Sequence, residues 1–567
     1  MKLLRLALTI AAALLLGVAG IFWLNRPARV DMANYAPADS LVYLELNSLP
    51  ELAKTIEQNE MWKGLARIAG LNPGLINNWG VRLARSGLAP VRSVVFSRAQ
   101  FALVVVGMNS IQEGDTLRIR PEVALIVETH TSNWRIKSDS VGVVKQLADY
   151  AYGQSNCHER SLLNARLVEC SAGVNDRKLV AAIDGTVVII GNGPAAVQHC
   201  LEVRRGMRPS IQTDVEMQKL RESMQAQSAL SFGYISSSNA AKIFSWAAPL
   251  LMGKAPGDRQ LEQLLSSSAS KIVGAIAWTS RSSSVGIEDR YFFSLEPEAI
   301  ERLRPAFAPA SSATGDFWKL IPQEVQSLTI YHQNHPLDAW IALNSVVAFK
   351  LDAVSAIVFA SVLRSALASY AISNPNEMLP VLGTPLATLR PLGNETSILI
   401  AHAADPALVR QTLVKQAGSK IQILEGRQND PDAEREFTAV FYEGFVVIGK
   451  TDAVQSWLDV IRKVKYRSPS SNEFEKLQAN GNAAITTFSD DGNRVNSFIT
   501  TAAAIKGTSL SSQKLEELKT TTENAFFSTT ETTLNSTGIE RKTSSVFGQF
   551  STLVSLAQAD SAGTSRP

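Results

Sequence analysis

The chain carries one long pattern twice, and that repetition limits its fold more than any other feature. RKLVAAIDGTVVIIGNGPAAVQHCLEVRRGMRPSIQTDVEMQKL begins at Arg177, and REFTAVFYEGFVVIGKTDAVQSWLDVIRKVKYRSPSSNEFEKL begins at Arg435. Asp184-Gly185 matches Glu443-Gly444, and Val187, Val188 and Ile189 match Val446, Val447 and Ile448, all 259 residues apart. Ala196-Val197-Gln198, Leu201 and Lys219-Leu220 recur as Ala453-Val454-Gln455, Leu458 and Lys476-Leu477, now 257 residues apart. Upstream, Pro37-Ala38-Asp39-Ser40-Leu41-Val42-Tyr43 resembles Pro322-Gln323-Glu324 followed by Ser327-Leu328-Thr329-Ile330-Tyr331. Downstream, Gly286-Ile287-Glu288 recurs as Gly538-Ile539-Glu540, 252 residues on. The shrinking separation means small loop deletions in the second copy.

A chain of 567 residues exceeds what a single core usually supports. The repeat therefore predicts two homologous domains, 31–300 and 316–550. They follow an N-terminal segment, 1–30, and are joined by a linker, 301–315. The PAFAPASSATG run from Pro305 to Gly315 has no apolar period. Residues 551–567 read as a disordered tail.

Within each copy the pattern is α+β. Ser40 to Leu46 alternates like a strand. A helix follows, capped by Ser48 with Glu51 three residues on, and the Asn59-Glu60 region breaks it in two. LVAAIDGTVVIIG is two β runs around Asp184-Gly185, a step that tolerates the positive φ of a tight hairpin turn. Pro194 to Arg204 is a helix with Ala196, Val197, Cys200 and Leu201 on one face. Antiparallel sheet with helices on one face is the expected architecture. The apolar stretch Ile357 to Ser373 is interrupted by Arg364, which favours a buried helix over a membrane span.

The N-terminus predicts a membrane address. MKLLR is basic, and Leu6 to Leu24 carries no charge. A helix of that length spans about 28 Å, close to the hydrocarbon thickness of a bilayer. Lys2 and Arg5 would hold its start in the cytoplasm, and Trp23 suits an interface. One transmembrane helix in contact with the lipid bilayer is the first reading. The alternative is a signal cleaved near Gly17-Val18-Ala19, giving a secreted protein. Both export the rest of the chain. Export suits the cysteines: Cys157 and Cys170 enclose HERSLLNARLVE and are candidates for a disulfide, with two unpaired thiols as the alternative. Cys200 reads as a small buried apolar residue.

Chemical motifs are sparse. Gly191, Gly193 and Ala196 follow an apolar run in the spacing of a dinucleotide-binding turn, but the context argues against one. The preceding Asp184-Gly185 turn makes VVIIG the second arm of a hairpin. Asp214 stands at the right distance but opens a helix, and the second copy has Lys450, Thr451 and Asp452 at the turn. No cofactor is expected. His332 and His335 are the one close histidine pair among six; Pro336 follows them, and a loop is favoured over zinc. Ser489-Asp490-Asp491-Gly492-Asn493 lacks the length of a calcium loop and reads as a turn. The runs Ser236–Ser238, Ser266–Ser268 and Ser282–Ser284 read as turns and caps. Glu288 and Glu540 are the repeated charges, read as strand-end structure with a shared binding role as the alternative. No catalytic or metal residue is assigned. A net charge of +3 without a basic stripe excludes a nucleic-acid surface.

The opening P-A-D-S-L-V-Y-L, the repeated I-D-G-T-V-V-I-I-G…A-A-V and Y-E-G-F-V-V-I-G…D-A-V, and the closing G-I-E-x-x-x-x-S-x-F-G from Gly538 to Gly548 resemble bacterial membrane-anchored proteins grouped as domain of unknown function 3352. The resemblance implies an inner-membrane envelope protein with a periplasmic bulk and no known enzymatic activity; it assigns no functional residue. Duplication without a polar constellation leads to a non-enzymatic binding or scaffolding protein, with the cleft between the copies as its contact surface. A periplasmic carrier of lipid or another apolar ligand is the alternative, and a flavin- or nicotinamide-dependent oxidoreductase is the least favoured.

Overall fold

The structure is a computed structural model. It describes residues 29–71, 99–113, 116–130, 141–149, 155–172, 178–243, 271, 274–284, 286–308, 315–322, 325–463, 483–505, 510–522 and 528–552. The expected anchor, the Ser266–Ser268 run and residues 553–567 lie outside them. The fold is α+β and rich in sheet. No described helix is long and apolar enough to cross a membrane.

The chain forms two compact units. The first comprises residues 1–50, 79–111 and 118–214; the second comprises 51–78, 112–117 and 215–567. The division at 214/215 falls within the span 31–300, not at the 301–315 segment. Of that segment, residues up to Phe307 are helical, in Pro297–Leu303 and Arg304–Phe307. Leu303, just before the Pro305–Gly315 run, packs with Ala299 and Val346.

In the first unit, β1 (Val42–Leu46) pairs antiparallel with β2 (Gln100–Glu113). A second run of strands is β3 (Thr116–Glu128), β4 (Ser155–Leu162), β5 (Ala165–Ala172), β6 (Lys178–Asp184) and β7 (Val187–Gly191). They lie in the order β3-β7-β6-β5-β4, all antiparallel. Gly185, at φ +62, turns β6 into β7 as the Asp-Gly step predicts. Helix α1 (Pro194–Arg204) packs on this hairpin and on the turn Met32–Tyr35, burying Ala196, Val197, Cys200 and Leu201. Arg204 at its end donates from Nε to Asp184 Oδ2 at 2.6 Å, tying helix to turn.

The second unit begins its sheet with β8 (Ser231–Ile235), β9 (Ile276–Ser282) and β10 (Ile287–Ser294), preceded by α2 (Val215–Ser223). It continues with β11 (Val325–Tyr331), α3 (Pro336–Lys350), α4 (Ala353–Ala368), β12 (Gly383–Pro391) and β13 (Ile398–His402). Then come β14 (Ile421–Glu425), β15 (Phe437–Tyr442), β16 (Phe445–Lys450), α5 (Thr451–Arg462), β17 (Ile485–Ser489), β18 (Ser528–Leu534) and β19 (Gly538–Ser545). Pairing runs β8-β9-β10-β19-β18-β17-β11-β12-β13-β16-β15-β14. Every pair is antiparallel except β14 with β15, which is parallel. The departure follows from connectivity: the Pro406–Ala417 helix leads into β14, and residues 426–436 carry the chain back to the same end.

Helices cover both faces of this sheet, not one. Val447 faces a core with Val454, Trp457, Leu458 and Ile461 of α5. Its neighbours Val446 and Ile448 face a second core with Val409 and Leu413 of the Pro406–Ala417 helix. An unbroken apolar run such as FVVI suits a strand buried on both sides, where alternation would suit one. A second correction concerns Ile357 to Ser373. Its helical part is α4, but Ile357 is 66% exposed, so the helix is not buried.

Candidate functional site

The repeated G-I-E triplets open β10 and β19, and these two strands are partners. Their register places Arg290 opposite Lys542, Glu288 opposite Ser544 and Phe292 opposite Glu540. Arg290 and Lys542 are themselves matched positions of the repeat, 252 residues apart like the triplets. The pairing is thus two-fold symmetric about the Arg290–Lys542 rung.

Each residue of the triplet has a role in that pairing. A Cβ on Gly286 would lie 2.7 Å from the Ser545 carbonyl oxygen, at the far end of the opposite strand. A Cβ on Gly538 would lie 2.1 Å from the carbonyl oxygen of Phe293, the symmetric place. Glycine is required at both because each strand's start is crossed closely by the other's end. Ile287 is fully buried. The glutamates neutralise the two cations that the register forces together. Glu540 accepts from both Nε and Nη2 of Arg290, the latter at 2.9 Å. Glu288 accepts from Lys542 Nζ at 3.0 Å. Like charges opposite one another destabilise a sheet, and diagonal acids reverse the sign. The fork-to-fork Arg290–Glu540 pair is the stronger of the two. Glu540 raises the Arg290 pKa further by holding the charged form.

Above this seam lies a small cleft of about 310 Å³, lined by α2 from one side of the repeat and by β10 and β19 from both. Glu216 and Lys219 of α2 face Arg290, Ser294, Thr537 and Glu540. Ser294 donates to Glu216 Oε1 at 3.4 Å. The cleft presents two acids, two bases and neutral hydrogen-bonding groups in close range. That mixture suits a small polar or zwitterionic group and sits at the lower size limit of small-molecule sites.

The opposite face of the seam is closed. Asp289 is buried and accepts from the Ser280 hydroxyl and, at 2.7 Å, from the Gln549 backbone N–H. The Gln549 side chain donates to Ser231 Oγ at 2.8 Å and to Ser280 Oγ at 2.6 Å. Burial pushes the Asp289 carboxyl up to about 6, against the pull of its two donors. Burial also raises the Tyr291 pKa. The S-x-F-G stretch delivers Gln549 there. Ser545 Oγ accepts from Gly548 N, Gly548 takes φ +57, and Phe547 stacks on Phe498 at 4.3 Å with Trp62 edge-on.

The remaining sequence candidates are dispersed. Cys157 and Cys170 stand directly opposite on the β4–β5 hairpin and are disulfide-bonded. Cys200 is buried, its thiol pushed up to about 12 by desolvation. Gly191 ends β7, whose neighbours β6 and β3 are both antiparallel, so the parallel βαβ frame of a dinucleotide site is missing there. A Cβ at Gly191 would meet Val197 Cγ2 at 2.9 Å, which explains that glycine by packing. Asn192 in the turn is bonded to β3, accepting from Val123 N and donating to the Pro121 carbonyl. His332 Nε2 lies 3.0 Å from Thr486 Oγ1, and His335 precedes α3. Asp490 Oδ1 accepts from Gly492 N, as in a turn. Ser236 Oγ accepts from Asn239 N and Ser283 Oγ from Gly286 N, again as turns. Among the described residues no group of three or more His, Cys, Asp or Glu is placed to hold a metal.

Sequence reasoning singled out Glu288 and Glu540 but missed Arg290, Lys542, Glu216 and Asp289. A signal existed for the first two: each triplet continues as E-x-R or E-x-K, a charge pattern repeated with its sign. No family model matches the chain, no curated protein matches it, and no solved structure matches it.

Proposed function

We propose that this is a non-enzymatic, single-pass envelope protein whose extracytoplasmic part is a duplicated α+β domain for binding or scaffolding. Residues 6–24 anchor it in a bacterial inner membrane, and residues 31–300 and 316–550 are the homologous domains. The likeness to domain of unknown function 3352 and the uncharged N-terminal run support the address. The observation that carries the reading is the seam. The charges the repeat preserves are used against each other at a two-fold junction, and the cleft above them is bounded by both copies. An isologous junction inside one chain is what gene fusion of a symmetric dimer would leave. The partner contributes a small polar or zwitterionic group to the cleft between Glu216, Lys219 and Thr537.

The test uses the full-length protein in native membranes, with a photo-reactive residue in place of Thr537. The reading expects a discrete adduct with one envelope component, lost when Glu216→Lys reverses the charge of the rim. It also expects a colourless protein without turnover across hydrolase and oxidoreductase substrates. Robust turnover, or a flavin or nicotinamide released on denaturation, overturns it.

A further inference from the structure

The helices α3 and α4 form a hairpin joined by Leu351 and Asp352, and it exposes an unusual amount of apolar surface. Ile341 is 52% exposed and Ile357 66%. Phe349, at the hairpin's closed end, is covered on one side by the Arg302 guanidinium, 4.1 Å from its ring centroid. Further along lies a groove of about 820 Å³, within the roughly 300–1,000 Å³ range of small-molecule sites.

The groove has a polarity. Trp340, Asn344 and Ala348 recur at four-residue spacing on α3, so its wall runs about 12 Å along one helix face. Ala360 and Arg364 face them from α4. An antiparallel hairpin sets the late α4 residue Arg364 beside the early α3 residue Trp340. Ser373, Asn374 and Asn376 close that same end. Arg364 Nε donates to the Ala360 carbonyl at 3.3 Å, which lays its side chain along the groove wall. Among the described residues, Arg364 is the one charged lining residue, and no acid lines the groove with it. The far end, at Ala348 and Ala360, is apolar.

The geometry points to a binding site for an anionic amphiphile of the fatty-acid type. Its carboxylate meets Arg364 and the asparagines at the Trp340 end, and its alkyl chain runs along the α3 wall toward Ala348 and Ala360. The charge selects the head group, and the apolar wall supplies affinity in proportion to the alkyl area it covers. This site is remote in sequence from the seam residues and stands or falls separately from the reading of that cleft.

The experiment is palmitate binding to the full-length protein in phosphatidylcholine nanodiscs, read by quenching of Trp fluorescence and by equilibrium partition of labelled palmitate. Saturable one-to-one binding is expected. Arg364→Gln should weaken it about tenfold or more, the loss of one charge-assisted contact. It should leave binding of a neutral monoacylglycerol unchanged. Ala360→Trp, which fills the groove, should abolish both. Arg364 is exposed, so Arg364→Gln should keep the wild-type melting temperature. Absence of saturable binding in the wild type overturns the proposal, as does palmitate affinity indifferent to both substitutions. Self-association of the wild type that Ala360→Trp abolishes without any palmitate binding would assign the groove to a second copy instead. Insertion of Trp340 into vesicles without saturable binding would assign it to a membrane.

Discussion

The hairpin-and-helix unit occurs in both compact units, and the two versions differ in instructive places. In the first unit β6, β7 and α1 form it; in the second, β15, β16 and α5. The sequence match sets Cys200 of α1 against Trp457 of α5. Both are fully buried on the same helix face. Cys200 needs little room, and α1 packs on the small turn Met32–Tyr35. Trp457 is covered instead by Phe317, Leu320 and Ile321, and its indole donates to the Leu320 carbonyl at 2.8 Å. The edge beyond the hairpin differs more. Next to β6 stands β5, antiparallel and stapled to β4 by Cys157–Cys170; next to β15 stands β14, parallel. The helix and hairpin are the fixed part, because their contacts are mutual. The covering segment and the sheet edge each have one free side and are where the copies diverged.

Substitutions at four positions sharpen that comparison, the largest effect first. Trp457→Ala removes a large buried ring and leaves the Leu320 carbonyl unpaired. A loss of about 3–5 kcal/mol is expected, against about 1 kcal/mol for Cys200→Ala, both by denaturant unfolding. Equal losses would mean the two helix faces are not equivalent in the way the sequence match requires. Replacing both Cys157 and Cys170 by Ser should cost about 3 kcal/mol, the entropy of reopening a short loop. Hydrogen exchange should rise in β4 to β6 and stay unchanged in β14 to β16.

Asp289→Asn probes the seam's closed face. The folded-state carboxyl is raised from its ordinary 3.8 to about 6. The folded protein therefore holds that proton more tightly than the unfolded chain. This group's stabilisation is complete below about pH 4 and is lost as pH rises through 6. The wild type should lose on the order of 3 kcal/mol across that window relative to Asp289→Asn. A difference that stays constant with pH would contradict the buried placement of Asp289.

How much of this was legible depended on whether the signal was local. The Asp184-Gly185 hairpin, the helix from Pro194 and the break at Asn59 follow from neighbouring residues, and each is where the sequence puts it. Asn59 does cap the second helix, accepting from Met61 and Trp62 N–H groups. The Cys157–Cys170 bridge was one of two readings, because spacing fixes loop length but not strand register. Burial of α4 was misjudged because an apolar helix looks the same whether it is covered by the protein or by something else. The seam was out of reach for a different reason. Its ion pairs join residues some 250 positions apart, and only the strand register brings them together. The repeated triplet was visible, but that its two copies face each other was not.

The central claim is that Glu288 and Glu540 join the two repeats by pairing with the opposite copy's cation. The most direct measurement is thermal and denaturant unfolding of Arg290→Glu, Glu540→Arg and the double variant. Arg290→Glu sets a third acid beside Glu540 and should cost about 2 kcal/mol. This is an upper figure, since Arg290 is partly exposed and its pair partly screened. Glu540→Arg sets a third cation beside Arg290 and Lys542 and should cost about as much. The double variant rebuilds the pair with its charges exchanged, and its stability should return to within about 0.5 kcal/mol of the wild type. A double variant as unstable as the sum of the two single changes would contradict the account.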